Sequence, residues 1–355
     1  MSYESRSVKN KRLRILIVVA MGLASTLVCL LALWGSVALL YQGPGGSTSK
    51  SVLIGIWVLY CAVMLSLVWK HRPLLGISGF ALAFAGMLIW WVGIKPSNHR
   101  IWAEDVAQTM SGAVDGNLVV LHNVRNFEWR TNTDYTQRWE TRSYNLDQLN
   151  SVDLITSYWS SRAIAHVLIS FGFDDGQHIV FSVEIRREKS EDFSEIGGFF
   201  KEFELSIIAA DERDVIRVRT NVRGEDDYLY RMRMPAAMMR SLFLAYVGEA
   251  DSLVTTPRFY NTITINCTTL VYHMMKRIVG YLPLDYRLLL SGYLPSYVYK
   301  VGGLDTRYPL DQLRGLGRIT DRAKAADDSA HFSEAIRVGI PPLTISNEGA
   351  ATDLR

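Results

Sequence analysis

The chain has 355 residues, of which 49% are hydrophobic and 21% charged, and its formal net charge is +3. So small a positive excess, with no basic tract beyond the first fourteen residues, argues against a nucleic-acid partner. Three cysteines, two of them within apolar runs, rule out a disulfide framework.

The average composition hides a division between an apolar first quarter and a charged remainder. Residues 15–41, 51–69 and 74–94 are uncharged apolar runs, each near the ~20 residues that a helix needs to cross the hydrocarbon core. The first run is too long for the roughly 7–15-residue apolar stretch of a cleaved signal peptide, and two more spans follow at once. Cys29 and Cys61 lie inside these runs and read as small buried hydrophobes.

Arg6, Lys9, Lys11, Arg12 and Arg14 precede the first span against a single Glu4. The loop 42–50 is rich in Gly and Ser, and the next loop is the basic Lys70-His71-Arg72-Pro73. By the positive-inside rule the N-terminus and the second loop are cytoplasmic, and residues from 96 onward are delivered to the periplasm of a bacterial inner-membrane protein. Trp90, Trp91 and Trp102 suit the interface beside the third span. The expected organisation is a cytoplasmic stub and three-helix anchor (1–95), a periplasmic domain (96–315, core about 115–280) and a polar C-terminal tail (316–355).

In the exported part, 118–122 reads as a strand. Residues 125–139 mix aromatics with charges as a strand pair or a ligand-facing loop, and 147–153 reads as a short helix start or linker. Residues 163–173 and 178–188 flank Asp174-Asp175-Gly176-Gln177, which predicts a hairpin with Phe173 opposite His178 and His166 opposite Glu184 or Ile185. Further strands are expected at 204–209 and 215–220, and helices at 235–254 and 267–279.

Cys267 is the only cysteine after the spans. In Asn266-Cys267-Thr268-Thr269 it opens a helix, where the partial positive charge favours thiolate and unpaired N–H groups can hold an oxyanion; a buried, inert cysteine followed by capping threonines is the alternative. His166 among Ala165, Val167 and Leu168, with Glu184 beside it across the hairpin, supplies a base and a group to orient it, or else a structural pair. Arg186, Arg187, Arg213, Arg217, Arg219 and Arg223 could meet lipid phosphates or line a solvated face, and Asp211-Glu212-Arg213-Asp214 reads as an internal ion-pair turn. Nothing in the sequence calls for a metal or a cofactor.

Ala165–Phe173, Ser182-Val183-Glu184-Ile185-Arg186-Arg187-Glu188, Ala210–Asp214, Tyr228-Leu229-Tyr230-Arg231, Tyr260-Asn261-Thr262 and Asn266-Cys267-Thr268-Thr269 occur in an order that resembles the family named for the N-terminal periplasmic domain of the lipoprotein N-acyltransferase Lnb, over roughly 115–280. That family looks related to the circularly permuted NlpC/P60-like thiol enzymes, in which His precedes Cys. The resemblance implies an α+β, papain-like domain with an antiparallel sheet and packed helices. It further implies a thiol acyltransferase that takes a fatty acyl group from membrane phospholipid, through a Cys267 thioester, to an amine such as a lipoprotein N-terminus. Cys267, His166 and Glu184 are the expected catalytic residues, with His178 the rival third member. Tyr260, Asn261, Asn266, Arg186 and Arg187 are the expected substrate contacts. A cell-wall peptidase or amidase using the same Cys–His pair, and a non-enzymatic envelope module binding lipid or a partner, are the alternatives. The anchor precedes the domain here and no multi-span region follows, a departure from the full-length acyltransferase.

Overall fold

A computed structural model describes residues 3–70 and 72–343, with the side chains of 3–10 excluded. His71 of the second short loop, the end of the expected tail, and the side chains of Glu4, Arg6 and Lys9 therefore lie outside the described residues. The chain divides into two compact units, one of residues 1–96 with 196–202, the other of 97–195 with 203–355.

In the first unit three helices are long and apolar enough to cross a membrane: α1 (Tyr3–Gln42), α2 (Ser47–Trp69) and α3 (Pro73–Gly93). A hydrogen bond from Trp57 Nε1 to the Ala32 carbonyl joins α1 to α2 (2.9 Å), and one from the Tyr60 hydroxyl to the Gly79 carbonyl joins α2 to α3 (2.8 Å). A Cβ at Gly76 would stand 2.5 Å from the Met64 carbonyl oxygen, so α2 and α3 meet through a missing side chain.

The second unit is α+β. Its strands are β1 (Ser111–Asp115), β2 (Leu118–Arg125), β3 (Glu128–Trp129), β4 (Tyr135–Thr136), β5 (Trp139–Asn145), β6 (Leu149–Tyr158), β7 (His166–Phe173), β8 (His178–Arg186), β9 (Glu204–Ala210) and β10 (Asp226–Arg231). Eight of them form one sheet in the order β1-β2-β9-β8-β7-β6-β10, with β5 also paired to β2. All pairs are antiparallel except the single parallel contact of β2 with β9, Arg125 to Ala210. The helices are α4 (Glu212–Arg217), α5 (Ala236–Thr255), α6 (Thr269–Val279), α7 (Leu294–Lys300), α8 (Leu310–Gly317), α9 (Thr320–Ala326) and α10 (Phe332–Ile336).

Strand alternation divides the core between the two sheet faces. Val167, Ile169, Phe171 and Phe173 of β7 point to the face covered by α5 and α6, while Leu168 points to the face covered by α4, α9 and α10. On the first face Phe181 stacks on Tyr246 (4.9 Å between centroids) and Phe171 meets Phe243 edge-on (5.2 Å), and α5 is fixed by these aromatic contacts. Charges on the second face are paired: Arg337 of the C-terminal segment reaches Glu212 at 2.6 Å and Asp153 at 2.9 Å.

Several sequence expectations need correction. Residues 215–220 are not a strand but the end of α4 and a π-helical turn, Val218–Val222. Asp211 caps that helix by accepting from Arg213 N, and Val215 and Ile216 are successive apolar residues that both find the core from a helix. Residues 147–153 contain only a short 3-10 turn before β6, an interior strand. Its Asp153, Thr156 and Ser157 are fully buried, which masks the strand in a hydropathy pattern. The segment after Leu316 is not loose through residue 343: α9 and α10 bury Ile319, Ala323, Phe332 and Ile336.

Candidate active site

The hairpin register is one residue from the expected one. Gly172, not Phe173, pairs with His178, and Leu168 pairs with Ser182. Two residues further along each strand, His166 therefore faces Glu184. The two side chains meet with Nε2 3.1 Å from Oε1. Ser182, on the same face of β8 as Glu184, is 2.7 Å from His166 Nε2 and donates its hydroxyl proton to Glu184 Oε1 at 2.6 Å. Because that proton is committed to the carboxylate, Nε2 of the ring is the donor toward Ser182, and Nδ1 is the nitrogen that titrates.

Cys267 arrives from a separate construction. Asn261 and Ile265 exchange backbone hydrogen bonds at 3.0 and 3.1 Å, and the Asn261 side chain accepts from Ile263 N and Thr264 N inside the same turn. Asn266 then caps α6: its Oδ1 accepts from Thr268 N and Thr269 N, both at 2.9 Å, while Thr269 Oγ1 accepts from Asn266 N. Cys267 is held between cap and helix, in the turn immediately before α6, near enough to His166 to contribute to its proton affinity. Cys267 is 9% exposed, the His166 side chain 13% and that of Glu184 20%, so the cluster is recessed without being sealed.

Burial pushes the His166 imidazolium down, but the Glu184 charge outweighs it and, with the neighbouring Cys267, raises the ring to about 9 against the opposing charge of Arg219. Burial likewise opposes ionisation of Glu184, yet the imidazolium and Arg219 hold it well below the usual carboxylate range. Tyr260 adjoins this cluster. Burial, and then the charges at Cys267 and Glu184, push its phenol well above the ordinary value.

The structure therefore brings together Cys267, His166, Glu184 and Tyr260. Asn261 and Asn266 are adjacent, but their side chains are spent on the turn and the cap, so they shape the site rather than contact a substrate. The caps also occupy the Thr268 and Thr269 N–H groups, which corrects the expectation that these would hold an oxyanion. Arg186 is not a surface cation: it is 5% exposed, donates to the Val106 and Ala107 carbonyls, and stacks over Trp102 at 4.5 Å. Arg187 pairs with Asp105 at 3.0 Å. His178 stays at the hairpin turn, against the Gly176 carbonyl.

Two contributors were not singled out from the sequence. Ser182 is signalled only by its spacing of two from Glu184. Arg219, expected with its neighbours at lipid phosphates or on a solvated face, is instead 7% exposed and reaches Glu184 at 3.3 Å and Glu225 at 3.2 Å. The π turn, which adds a residue to the helical winding, brings it inward.

A cavity of about 350 Å³ reaches the start of α6, where Thr268, the residue after Cys267, lines it; Cys267, His166 and Glu184 are not among its lining residues. Val271 and Met275 from α6 also line it, with Val167 from the sheet, and Met232 and Met238 from the segment that enters α5. Its wall is mostly apolar, and four of its lining residues are flexible methionines.

Fold and site define a protein with three apolar N-terminal helices followed by an α+β domain that carries a recessed Cys–His–Glu cluster at the start of a helix. Residues 135–292 match the family model of the Lnb N-terminal periplasmic domain, and that segment contains all three residues of the cluster. The family resemblance read from the sequence is thus met over this segment, and the three apolar helices with this domain fit a membrane-anchored protein with a periplasmic domain. No curated protein and no solved structure matches the chain.

Proposed function

We propose that the protein is a thiol acyltransferase that moves a fatty acyl group from a membrane phospholipid to an amine. The Cys267 thiolate attacks the ester carbonyl carbon of the phospholipid. The C–O bond breaks, the leaving alkoxide takes a proton from His166, and a lysophospholipid departs from the Cys267 thioester. The acceptor amine then attacks the thioester, His166 removes its proton, and an amide leaves as the thiolate returns. Glu184 and Ser182 keep the imidazole oriented with Nδ1 toward the sulfur. The Cys267 N–H, which no group among the described residues accepts, is the candidate donor to the oxyanion. The order of His before Cys fits a permuted papain-like domain, a basic N-terminal flank fits a cytoplasmic N-terminus, and a lipoprotein N-terminus is the acceptor of choice.

The observation that supports this reading is the apolar, methionine-rich cavity lined by Thr268, the residue that follows the thiol in the chain. An acyl chain needs an apolar hole within reach of the nucleophile, and this one is of the right character. The test is to incubate the full chain in phospholipid nanodiscs with acyl-labelled phospholipid and a synthetic diacylated lipopeptide bearing an N-terminal amine. Label should pass to Cys267 and then to the lipopeptide. Normal transfer by Cys267→Ala overturns the mechanism. Cleavage of cell-wall peptide without acyl transfer would favour an amidase, and neither reaction, with Cys267 inert to thiol reagents, a binding module.

A further inference from the structure

The segment Ile196–Glu202 belongs to the compact unit of the membrane helices, although it lies between β8 and β9 in sequence. Its attachment there is built from specific contacts. The Phe200 ring stacks on Tyr41 (5.8 Å between centroids) and lies 6.3 Å from Trp34 and 6.1 Å from Trp91. Lys201 donates its ammonium to the Trp91 carbonyl at 2.7 Å and sits 4.8 Å over the Trp91 ring. Gln42 Nε2 donates to the Lys201 carbonyl at 2.7 Å. Tyr41 and Gln42 end α1, and Trp91 is two residues from the end of α3, so the segment is fixed at one end of the bundle. Cations that cap helix carbonyls, and aromatic residues gathered at a helix end, mark the depth of the lipid headgroups.

Beside Phe200 two large apolar side chains are left outward: Ile196 is 57% exposed and Phe199 42%. They match the lipid-facing residues at the same end of the bundle, Leu40 (52%) and Val92 (67%). Gln42 and Lys201 satisfy polar groups behind them.

We propose that Ile196 and Phe199 form a fourth membrane contact, a short interfacial loop whose side chains insert among the upper acyl carbons of the phospholipid leaflet that faces the soluble domain. Continuity with the apolar surface of the spans selects lipid over a protein partner, because the loop lies beside the outward apolar side chains of helices long enough to cross a membrane. The residue before the loop, Glu195, accepts a hydrogen bond from Thr262 Oγ1 at 3.0 Å, and Thr262 belongs to the turn that ends at Cys267. The same covalent stretch therefore joins the inserted residues to the nucleophile's turn. The insertion itself does not depend on the acyltransferase reading.

The full chain is reconstituted in phosphatidylethanolamine/phosphatidylglycerol nanodiscs that contain a phospholipid with a diazirine near the glycerol end of one acyl chain, and photo-adducts are mapped by mass spectrometry. The peptide carrying Ile196 and Phe199 should be labelled about as heavily as the one carrying Val92. Ile196→Asp/Phe199→Asp should lower its labelling by about tenfold while Val92 labelling, the internal control for a folded anchor, stays constant. Labelling of Val92 with none at 196–199 in the unsubstituted chain overturns the proposal. So does protein–protein crosslinking through Phe199 that survives dilution into excess lipid, since a partner would then cover the loop.

Discussion

Arg219 Nη2 stands 3.3 Å from the same Glu184 oxygen that faces His166 Nε2 at 3.1 Å. One carboxylate oxygen thus serves both a cation that titrates and one that does not. The two neighbours act on the imidazole with opposite sign, Glu184 raising its affinity for a proton and Arg219 lowering it. Removing each should therefore move the histidine titration in opposite directions. With the full chain in detergent, the His166 ring should titrate lower than about 9 in Glu184→Gln and higher in Arg219→Met, by NMR of the ring Cε1–H. Shifts of the same sign, or none, would contradict the opposing effects of Glu184 and Arg219 on the imidazole.

Activity should follow that titration. If catalysis uses a thiolate–imidazolium pair, acyl transfer should fall on the alkaline side as His166 deprotonates near pH 9. Glu184→Gln should bring that limb toward neutrality and lower kcat by about a hundredfold, with Ser182→Ala nearer tenfold. A pH profile in Glu184→Gln that overlays the parent's would remove Glu184 from the mechanism.

Filling the cavity separates chain binding from chemistry. Val271→Trp places an indole in the hole one turn beyond Thr268. It should shift the preference of acyl transfer to shorter chains by about tenfold or more while the rate at which iodoacetamide alkylates Cys267 is unchanged. An unaltered chain-length profile would mean that the cavity does not hold the acyl group.

Asp227 gives a pH test of stability. Burial pushes its carboxyl up to about 7, against the Ser157 hydrogen bond and the Arg219 charge. The folded domain therefore keeps a proton that the unfolded chain has released. The stability from this group is full below its unfolded value near ~3.9 and is lost as pH rises through about 7. Asp227→Asn should gain on the parent between about pH 5 and about pH 8, measured by denaturant unfolding. A constant difference across that range would place the protonation elsewhere.

On the neighbouring strand, Arg337→Met removes the cation of fully buried Glu212 and leaves equally buried Asp153 to Arg231 alone. Loss of one member of such a pair costs about 3–5 kcal/mol. Burial opposes ionisation of Glu212, but Arg337 holds it at about 2, so the pair's contribution persists above the ordinary carboxylate range and fades as pH falls toward about 2. Thermal denaturation of the variant at neutral pH should show a drop of several degrees confined to the domain transition. An unchanged transition would show that α10 does not brace the sheet.

Much of this arrangement could be read from the chain because it is local. The spans declare themselves by apolar length, the hairpin by Asp-Gly at its tip, and the helix start at Asn266 by its capping side chains. The register slipped by one because strand parity alone cannot say which residue of Phe173 and Gly172 closes the turn, and the difference decided between Glu184 and Ile185. What could not be read depends on partners far along the chain. β6 carries acids and hydroxyls that look soluble until Arg231 and Arg337 arrive from 78 and 184 residues away. Arg186 and Arg219 look like surface cations until the fold closes over them. Val215–Thr220 alternates well enough for a strand, and only the cap at Asp211 and the core on one side make it helical.

The π turn at Val218–Val222 leaves the domain exposed to one kind of genetic accident. Helical winding advances about 100° per residue, so loss of a single codon there would turn Arg219 or the acids after it, Glu225 and Asp227, away from Ser157 and Glu184. Such a chain would keep its anchor, its sheet and its thiol. It would resemble its parent in size and abundance while the histidine had lost the counterweight that sets its charge.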